Sequence, residues 1–365
     1  MKKYAAVLLA VLMLMSILPI SALADGYYAG LFGGGTESSP YVINNSSDWE
    51  TFIAAVESDP DYGEGIYFKL GGKIGAEGDE VDTSLTEFRG VFDGENNEIW
   101  HSGVKAPFGN NYGEIKNIVT CGPEDRCIFY GGTVCEDNRG VVDHCENRAS
   151  FEGGIDNGGI CGKNFGLIVN CINYGHFEPN SGELSGGICK LNSGLILNCI
   201  NTADVTGCGI SGSNGVDEDE RIEICFNCGI PSTGYAITRF PGDTECRVIH
   251  LQGCGFLSPI GDVSLEASDS AVNNTAVNNT WGGENTSVEG GIGKMNSAID
   301  EYKNMTGRTL YKWTVGEDGL PAYKEPSPIA SMVANGSILI ICIAAAAVLG
   351  AVATLLVINI KRKAK

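Results

Sequence analysis

Cysteine is the residue type in this chain whose number and spacing first suggest chemistry. There are fourteen, and in an exported protein that count would ordinarily build a disulfide scaffold. Cys121 with Cys127, and Cys246 with Cys254, are the pairs placed to form such bonds. Cys225-x-x-Cys228, with Cys208 as a loose third ligand, has half the pattern of a zinc site. Zinc takes four ligands, usually as two short pairs, and no histidine follows closely, so no metal is expected there. Asp217-Glu218-Asp219-Glu220 has the oxygen ligands that calcium prefers. Four consecutive acids cannot all face one ion, and a solvated loop is the expected state. Asp143-His144 beside Glu146, with Arg126, is the best acid–base cluster and would suit glycan cleavage. His144, however, stands in a column otherwise filled by Asn117, Asn170 and Asn198, which makes it a corner residue. No phosphate loop, dinucleotide fingerprint or nucleophile elbow occurs in a suitable context, so no catalytic residue and no cofactor are expected.

The cysteines belong to a larger frame, Cys-x-x-Asn-x-Gly-x-x-x-x-Cys-x-Asn. Its copies run Cys135–Asn147, Cys161–Asn173 and Cys189–Asn201, with a looser copy at Phe108–Thr120 and a broken one that keeps Cys225 and Asn227. The shared glycines Gly113, Gly140, Gly166 and Gly194 step by 27, 26 and 28 residues. A fixed period in this range marks a repeat architecture. Two residues past the glycine stand Ile115, Val142, Ile168, Ile196 and Ile222, a β-branched column suited to a buried parallel strand. Phe108 and Ile118 replace cysteine in the two cysteine columns, so those columns are apolar. Cys135, Cys145, Cys161, Cys171, Cys189, Cys199 and Cys225 are therefore expected as packed, reduced thiols of a core ladder. Asn138, Asn164 and Asn192 form one asparagine column and Asn147, Asn173, Asn201 and Asn227 another. In-register stacking would turn each into an amide ladder, placed at the corners of the coil because asparagine and glycine tolerate left-handed backbone. The spacing fits neither leucine-rich nor helical repeats, and parallel β-coils are the expected fold.

The ends of the chain predict its location. Lys2, Lys3 and the apolar run Ala5–Ile20 precede Ala22-Leu23-Ala24, a secretory signal over 1–24 with cleavage after Ala24. Residues 338–360 contain an uncharged apolar run long enough to span a bilayer, followed by a basic tail over 361–365 that would stay inside. Cys342 falls in that run. The expectation is a single-pass protein of the cell membrane with an extracellular ectodomain. The net charge of −21 opposes contact with nucleic acid or anionic lipid. Within the ectodomain, 25–99 would hold an N-terminal cap and first coils, 100–230 the repeats, 231–322 further coils, a loop and a closing cap, and 323–337 a stalk. Ser47 and Glu50 read as a capping box for a short helix over 48–57. Phe88–Ile99 reads as strand with a turn at Asp93-Gly94, a helix is expected near 294–303, and a strand over 310–315.

Gly158–Asn173 (GGICGKNFGLIVNCIN) and Gly186–Asn201 (GGICKLNSGLILNCIN) resemble GLUG-motif repeats of bacterial adhesin-like surface proteins. GGGTESSPYVI, FRGVFDGENNEI and the closing Leu310-Tyr311-Lys312-Trp313 resemble the flanking regions of such proteins. The resemblance covers about 30–325 and implies an all-β, right-handed parallel β-helix with a short N-terminal capping helix. Leu320-Pro321-Ala322-Tyr323-Lys324 departs from a sortase signal, so anchoring falls to the C-terminal helix. The implied function is a binding or adhesion face for an extracellular glycan or protein ligand. The alternatives are a carbohydrate-active β-helix enzyme and a structural spacer of the cell envelope.

Overall fold

The computed structural model describes residues 28–103, 105–123, 131–152, 157–178, 185–214, 221–230, 237–238, 250–252, 254–257, 283–285 and 287–324. Ala24 and the signal, Arg126, Cys127, Asp217–Glu220, Cys246, Cys342, the spanning run and the tail lie outside them. The chain divides into two units, Met1–Ala322 and Tyr323–Lys365, and the solenoid belongs to the first. Among the described residues no helix is long and apolar enough to cross a membrane.

The fold is an all-β parallel solenoid of about six turns. Each repeat supplies three short strands, and each strand pairs in parallel with its equivalent one coil away. One face stacks Leu85–Phe88, Phe108–Asn111, Cys135–Asn138, Cys161–Asn164, Cys189–Asn192 and Ser211–Asn214. The next face stacks the start of Val91–Trp100 and of Glu114–Cys121 with Val141–Asp143, Leu167–Val169, Leu195–Leu197, Arg221–Glu223 and His250–Gln252. The ends of the two long strands begin the third face, which continues through Glu146–Asn147, Ile172–Asn173, Ile200–Asn201, Phe226–Asn227, Gly255–Leu257 and Gly283–Asn285. Register is unshifted from coil to coil, so like residues stack on like. Only the pairing of Val91–Trp100 with Glu114–Cys121 slips, between Asp93 and Asn97. The Asp93-Gly94 bend is thus the corner of a coil and not a hairpin turn: the strand continues parallel to its neighbour, through Glu95 and Asn96 in the left-handed region.

The interior changes character along the axis. Phe68, Phe88, Phe92 and Phe108 fill the early coils, and helix α1 (Ser46–Ser58) lays Trp49 and Phe52 against them, with ring centroids 4.9–6.2 Å apart. Asn45, not Ser47, is the N-cap: its side chain accepts from the amides of Ser47 and Asp48. Farther along, the core narrows to columns of one residue type. Ile115, Val142, Ile168, Ile196 and Ile222 form one, Val134, Ile160, Ile188, Ile210 and Ile237 another, all fully buried. Each such side chain contributes about 1.5–3 kcal/mol on leaving water.

The repeat glycine has a steric cause. A Cβ at Gly140 would collide with the carbonyl oxygen of Gly113, and one at Gly166 with that of Gly140. Adjacent coils therefore touch backbone to backbone at this corner. None of the four column glycines has positive φ, so close approach and not left-handed geometry requires them.

Helix α2 (Val288–Thr306) is longer than the 294–303 expected from sequence, and it begins at an N-cap, Ser287, that accepts from Gly290 N. It lies on the outer side of the third face: Gly291 sits against the Phe226 ring, which a Cβ at 291 would strike. The outward-pointing Ile172, Ile200 and Phe226 are fully buried, as is the α2 residue Met295. The strand after it covers Trp313–Val315.

Candidate functional site

Three side-chain systems run along the axis: thiols and amides inside, a left-handed corner column, and an exposed ridge. The thiols form two stacks. Phe108, Cys135, Cys161, Cys189 and Ser211 align in one, with Cys135 and Cys161 sulfurs 3.6 Å apart. In the other, Ile118 is followed by Cys145, Cys171, Cys199, Cys225 and Cys254, all buried. Their S–H groups donate to nearby carbonyls, Cys161 to Lys163 O at 3.1 Å, Cys189 to Leu191 O at 3.1 Å and Cys171 to Val169 O at 3.2 Å. Burial pushes the thiols of Cys145, Cys171 and Cys189 well above their ordinary value, which disfavours the nucleophilic thiolate. Cys121, expected in a disulfide with Cys127, carries a free thiol, and Cys254, expected to pair with Cys246, is buried against Cys225. Cys254 instead extends the second stack beneath Cys225. The sequence carries the signal: Leu251-x-x-Cys254 repeats the spacing of Ile222-x-x-Cys225. Among the described residues no three metal-binding side chains converge; Cys225 points inward and Cys228 is only partly buried.

The asparagine columns are interior. Asn111 donates to Asn138 at 2.9 Å, Asn138 to Asn164 at 2.8 Å, Asn164 to Asn192 at 2.8 Å and Asn192 to Asn214 at 2.6 Å. The second ladder runs Asn147 to Asn173, Asn173 to Asn201 and Asn201 to Asn227 at 2.7, 2.7 and 2.8 Å. The oxygens of Asn111, Asn138, Asn147, Asn164, Asn173 and Asn192 also accept from a backbone amide two residues on, as Asn173 does from Gly175 N at 3.1 Å. All of these residues lie in strands with ordinary backbone, so they are not the left-handed corner expected from sequence; hydrogen-bond stoichiometry, not φ, selects them. Ser211 and Asn214 continue the Cys-x-x-Asn frame with serine for cysteine, which hides that coil in the sequence.

The left-handed column is Asn117, His144, Asn170, Asn198 and Ile224, with φ of 52–55°. Asn117 donates to Asp93 at 2.8 Å and Asn170 to Asp143 at 2.7 Å. His144 Nδ1 lies 2.6 Å from Asn117 Oδ1. The chain after α2 is fastened to this column. The Tyr311 ring stacks on His144 at 4.1 Å and 8°, Trp313 Nε1 donates to Asn198 at 2.9 Å, and Asn198 donates to Tyr311 O at 2.9 Å. Burial holds His144 down at about 4 and pushes the Asp143 carboxyl up.

The structure brings Asp143 and His144 beside Lys116 and adds Asp93, which shares a column with them through Asp93↔Lys116 and Lys116↔Asp143 pairing. Lys116 is held protonated by Glu114 at 2.9 Å against the opposing effect of burial. Glu146 turns away to pair with Arg148. Asp93 is hidden in the sequence because its coil lacks the cysteine frame.

The ridge lies at the glycine corner. Arg89, Tyr112, Arg139 and Phe165 stack coil upon coil, the Arg139 guanidinium carbon 5.8 Å from the Tyr112 centroid and 4.5 Å from that of Phe165. Arg89 covers the other side of Tyr112 at 4.9 Å. Tyr112 and Phe165 remain 43% and 44% exposed. Arginine over an aromatic face is attractive, and the register places alternate members about 9.6 Å apart, two strand spacings.

No family model matches the chain, and no curated protein does. Among solved structures, the chain is similar to a Bacteroides ovatus protein described as a putative immunoglobulin A1 protease. The match has a TM-score of 0.54 at 18% identity and covers 83% of this chain and 98% of the other. At that identity the likeness shows the parallel β-solenoid fold alone.

Proposed function

We propose that the protein is a membrane-anchored extracellular surface protein whose right-handed solenoid presents a lateral ridge for binding, with α1 closing its N-terminal end. The observation that carries this reading is the Arg89–Tyr112–Arg139–Phe165 stack. On a chain of net charge −21 it exposes cations and rings where a stalk needs neither, while the other conspicuous ladders are consumed by packing. The GLUG resemblance and the apolar run at 338–360 support surface display and anchoring. The full chain in detergent, screened against glycans and host proteins, tests the reading; failure to bind anything would favour the spacer. Release of the protein from membranes by alkaline carbonate would overturn the anchor.

A second reading, a carbohydrate-active enzyme, is favoured by Asp93, Lys116 and Asp143 in one column with a carboxyl raised by burial. Turnover of polysaccharides, lost on Asp143→Ala in a folded variant, would support it. The protease activity in the structural neighbour's description is not carried over.

A further inference from the structure

We propose that the ridge binds an acidic polysaccharide running along the solenoid axis, with one sugar ring seated on Phe165 and a carboxylate on Arg139; this deepens the binding reading and rests on it. Three observations converge. The cations around Arg139 are matched: Arg89 with Glu87 at 2.6 Å, Lys116 with Glu114 at 2.9 Å, Lys163 with Asp137 at 3.8 Å. Arg139 has no carboxylate partner among the described residues, only the two rings. A guanidinium fixed between aromatic faces is already ordered, and its edge offers a planar pair of donors matched to a carboxylate.

Phe165, second, has one face covered by Arg139 and the other turned toward the next coil. The column member there is Ser193, whose amide bonds Asn164 O at 2.7 Å. Serine is too short to cover the ring, so that face can take the C–H face of a pyranose. Tyr112, with arginine on both sides, has no such seat.

Third, the lateral surface has no free strand edge at this corner. Phe165 N, Ser193 N and Leu195 N all donate to the coil before, so a peptide cannot add as an extra strand. Recognition must use side chains alone. A coil advances about 4.8 Å, and an extended glycan advances by a comparable length per sugar. Successive rings can then keep pace with successive coils.

The full chain in detergent would be titrated with oligogalacturonate and with its carboxyl-reduced, neutral counterpart. Wild type is expected to prefer the acidic oligomer, with affinity falling as salt rises. Arg139→Gln should weaken the acidic oligomer about tenfold and erase the preference. Phe165→Ala should weaken both. Ser193→Phe, which removes only a hydroxyl and fills the seat, should also weaken both while leaving the thermal midpoint unchanged. If all three variants bind as wild type does, the ridge is not the site. If oligogalacturonate does not bind but another partner from the screen does, this proposal fails while the binding reading stands; if nothing binds, both fail.

Discussion

The asparagine ladder at 147–227 lies inside the coil and the column at 117–198 lies on its rim, and they are asparagine for different reasons. Inside, Asn147, Asn173, Asn201 and Asn227 bond to the neighbouring coils and to their own turns. On the rim, Asn117, Asn170 and Asn198 satisfy a left-handed backbone, which asparagine tolerates at less cost than most residues. The sequence reflects the difference. The interior column is asparagine in all four coils from 147 to 227, with Thr120 stacked before it and bonded to Asn147, while the rim accepts His144 and even Ile224. Rim side chains also bond from coil to coil, Asn198 to Asn170 at 2.8 Å and His144 to Asn117 at 2.6 Å, but the requirement every rim member shares is the backbone angle.

Breaking the interior link gives the largest expected effect. Asn173→Ala removes the bonds to Asn147 and Asn201 and both bonds to Gly175. Four buried groups lose a partner, so a loss of about 4–8 kcal/mol is expected from urea unfolding. A loss under about 1 kcal/mol would mean that the ladder is not continuous. Trp313→Ala tests the rim through its fastening: it deletes a fully buried indole and its bond to Asn198, at about 3–5 kcal/mol. Protease cleavage should then appear first within 287–324, with the repeats still folded.

Acid should separate the two columns as well. His144 is held neutral in the fold down to about 4, against about 6.5 in an unfolded chain. Its contribution is complete above about pH 6.5 and is lost as pH falls from there toward 4. His101, also lowered to about 4 by burial, behaves the same way. The side chain is partly exposed, so the effect at His144 is about 1–2 kcal/mol after screening. His144→Asn keeps the left-handed residue and should lose less stability between pH 7 and pH 4.5 than wild type by that amount. The interior ladder has no titratable member and predicts no such change.

The interior was legible from sequence because strict periodicity exposes columns, and a column of Ile, Cys and Phe can only be core. The corner holding His144, Asn117, Asn170 and Asn198 was legible too, but the two ladder columns were assigned to corners as well, because asparagine in a strand and asparagine in a left-handed turn are the same letter. Ser211 and Cys254 were hidden by a serine-for-cysteine change and a frame interrupted by Cys208–Asp219. The lateral position of α2 does leave a trace: Leu-Ile-Val-Asn-Cys-Ile and Leu-Ile-Leu-Asn-Cys-Ile are apolar on both sides of the strand, and such strands are covered on both faces. Ile172, Ile200 and Phe226 are all fully buried on that outer side, and α2 covers Phe226. The acid cluster was half legible, since Asp143 and His144 are adjacent in sequence whereas Asp93 joins them only through register. The ridge was invisible in the sequence because alternating Arg and aromatic residues before glycine form no motif.

The smallest expected effect is the sharpest test of the comparison. Ile224 holds φ of 52°, a conformation that costs a β-branched residue at least 1–2 kcal/mol, yet it is only 4% exposed. Ile224→Asn relieves the backbone and forfeits burial worth about 1.5–3 kcal/mol. The new amide would stand one coil beyond Asn198, whose oxygen already accepts from Trp313 and has a second lone pair to offer. Strain relief and a new bond oppose the lost burial, and the variant should stay within about 1 kcal/mol of wild type. A loss beyond about 3 kcal/mol would show that burial outweighs the dihedral angle. Ile224 would then belong to the core, and the rim would be defined by geometry only where it meets solvent.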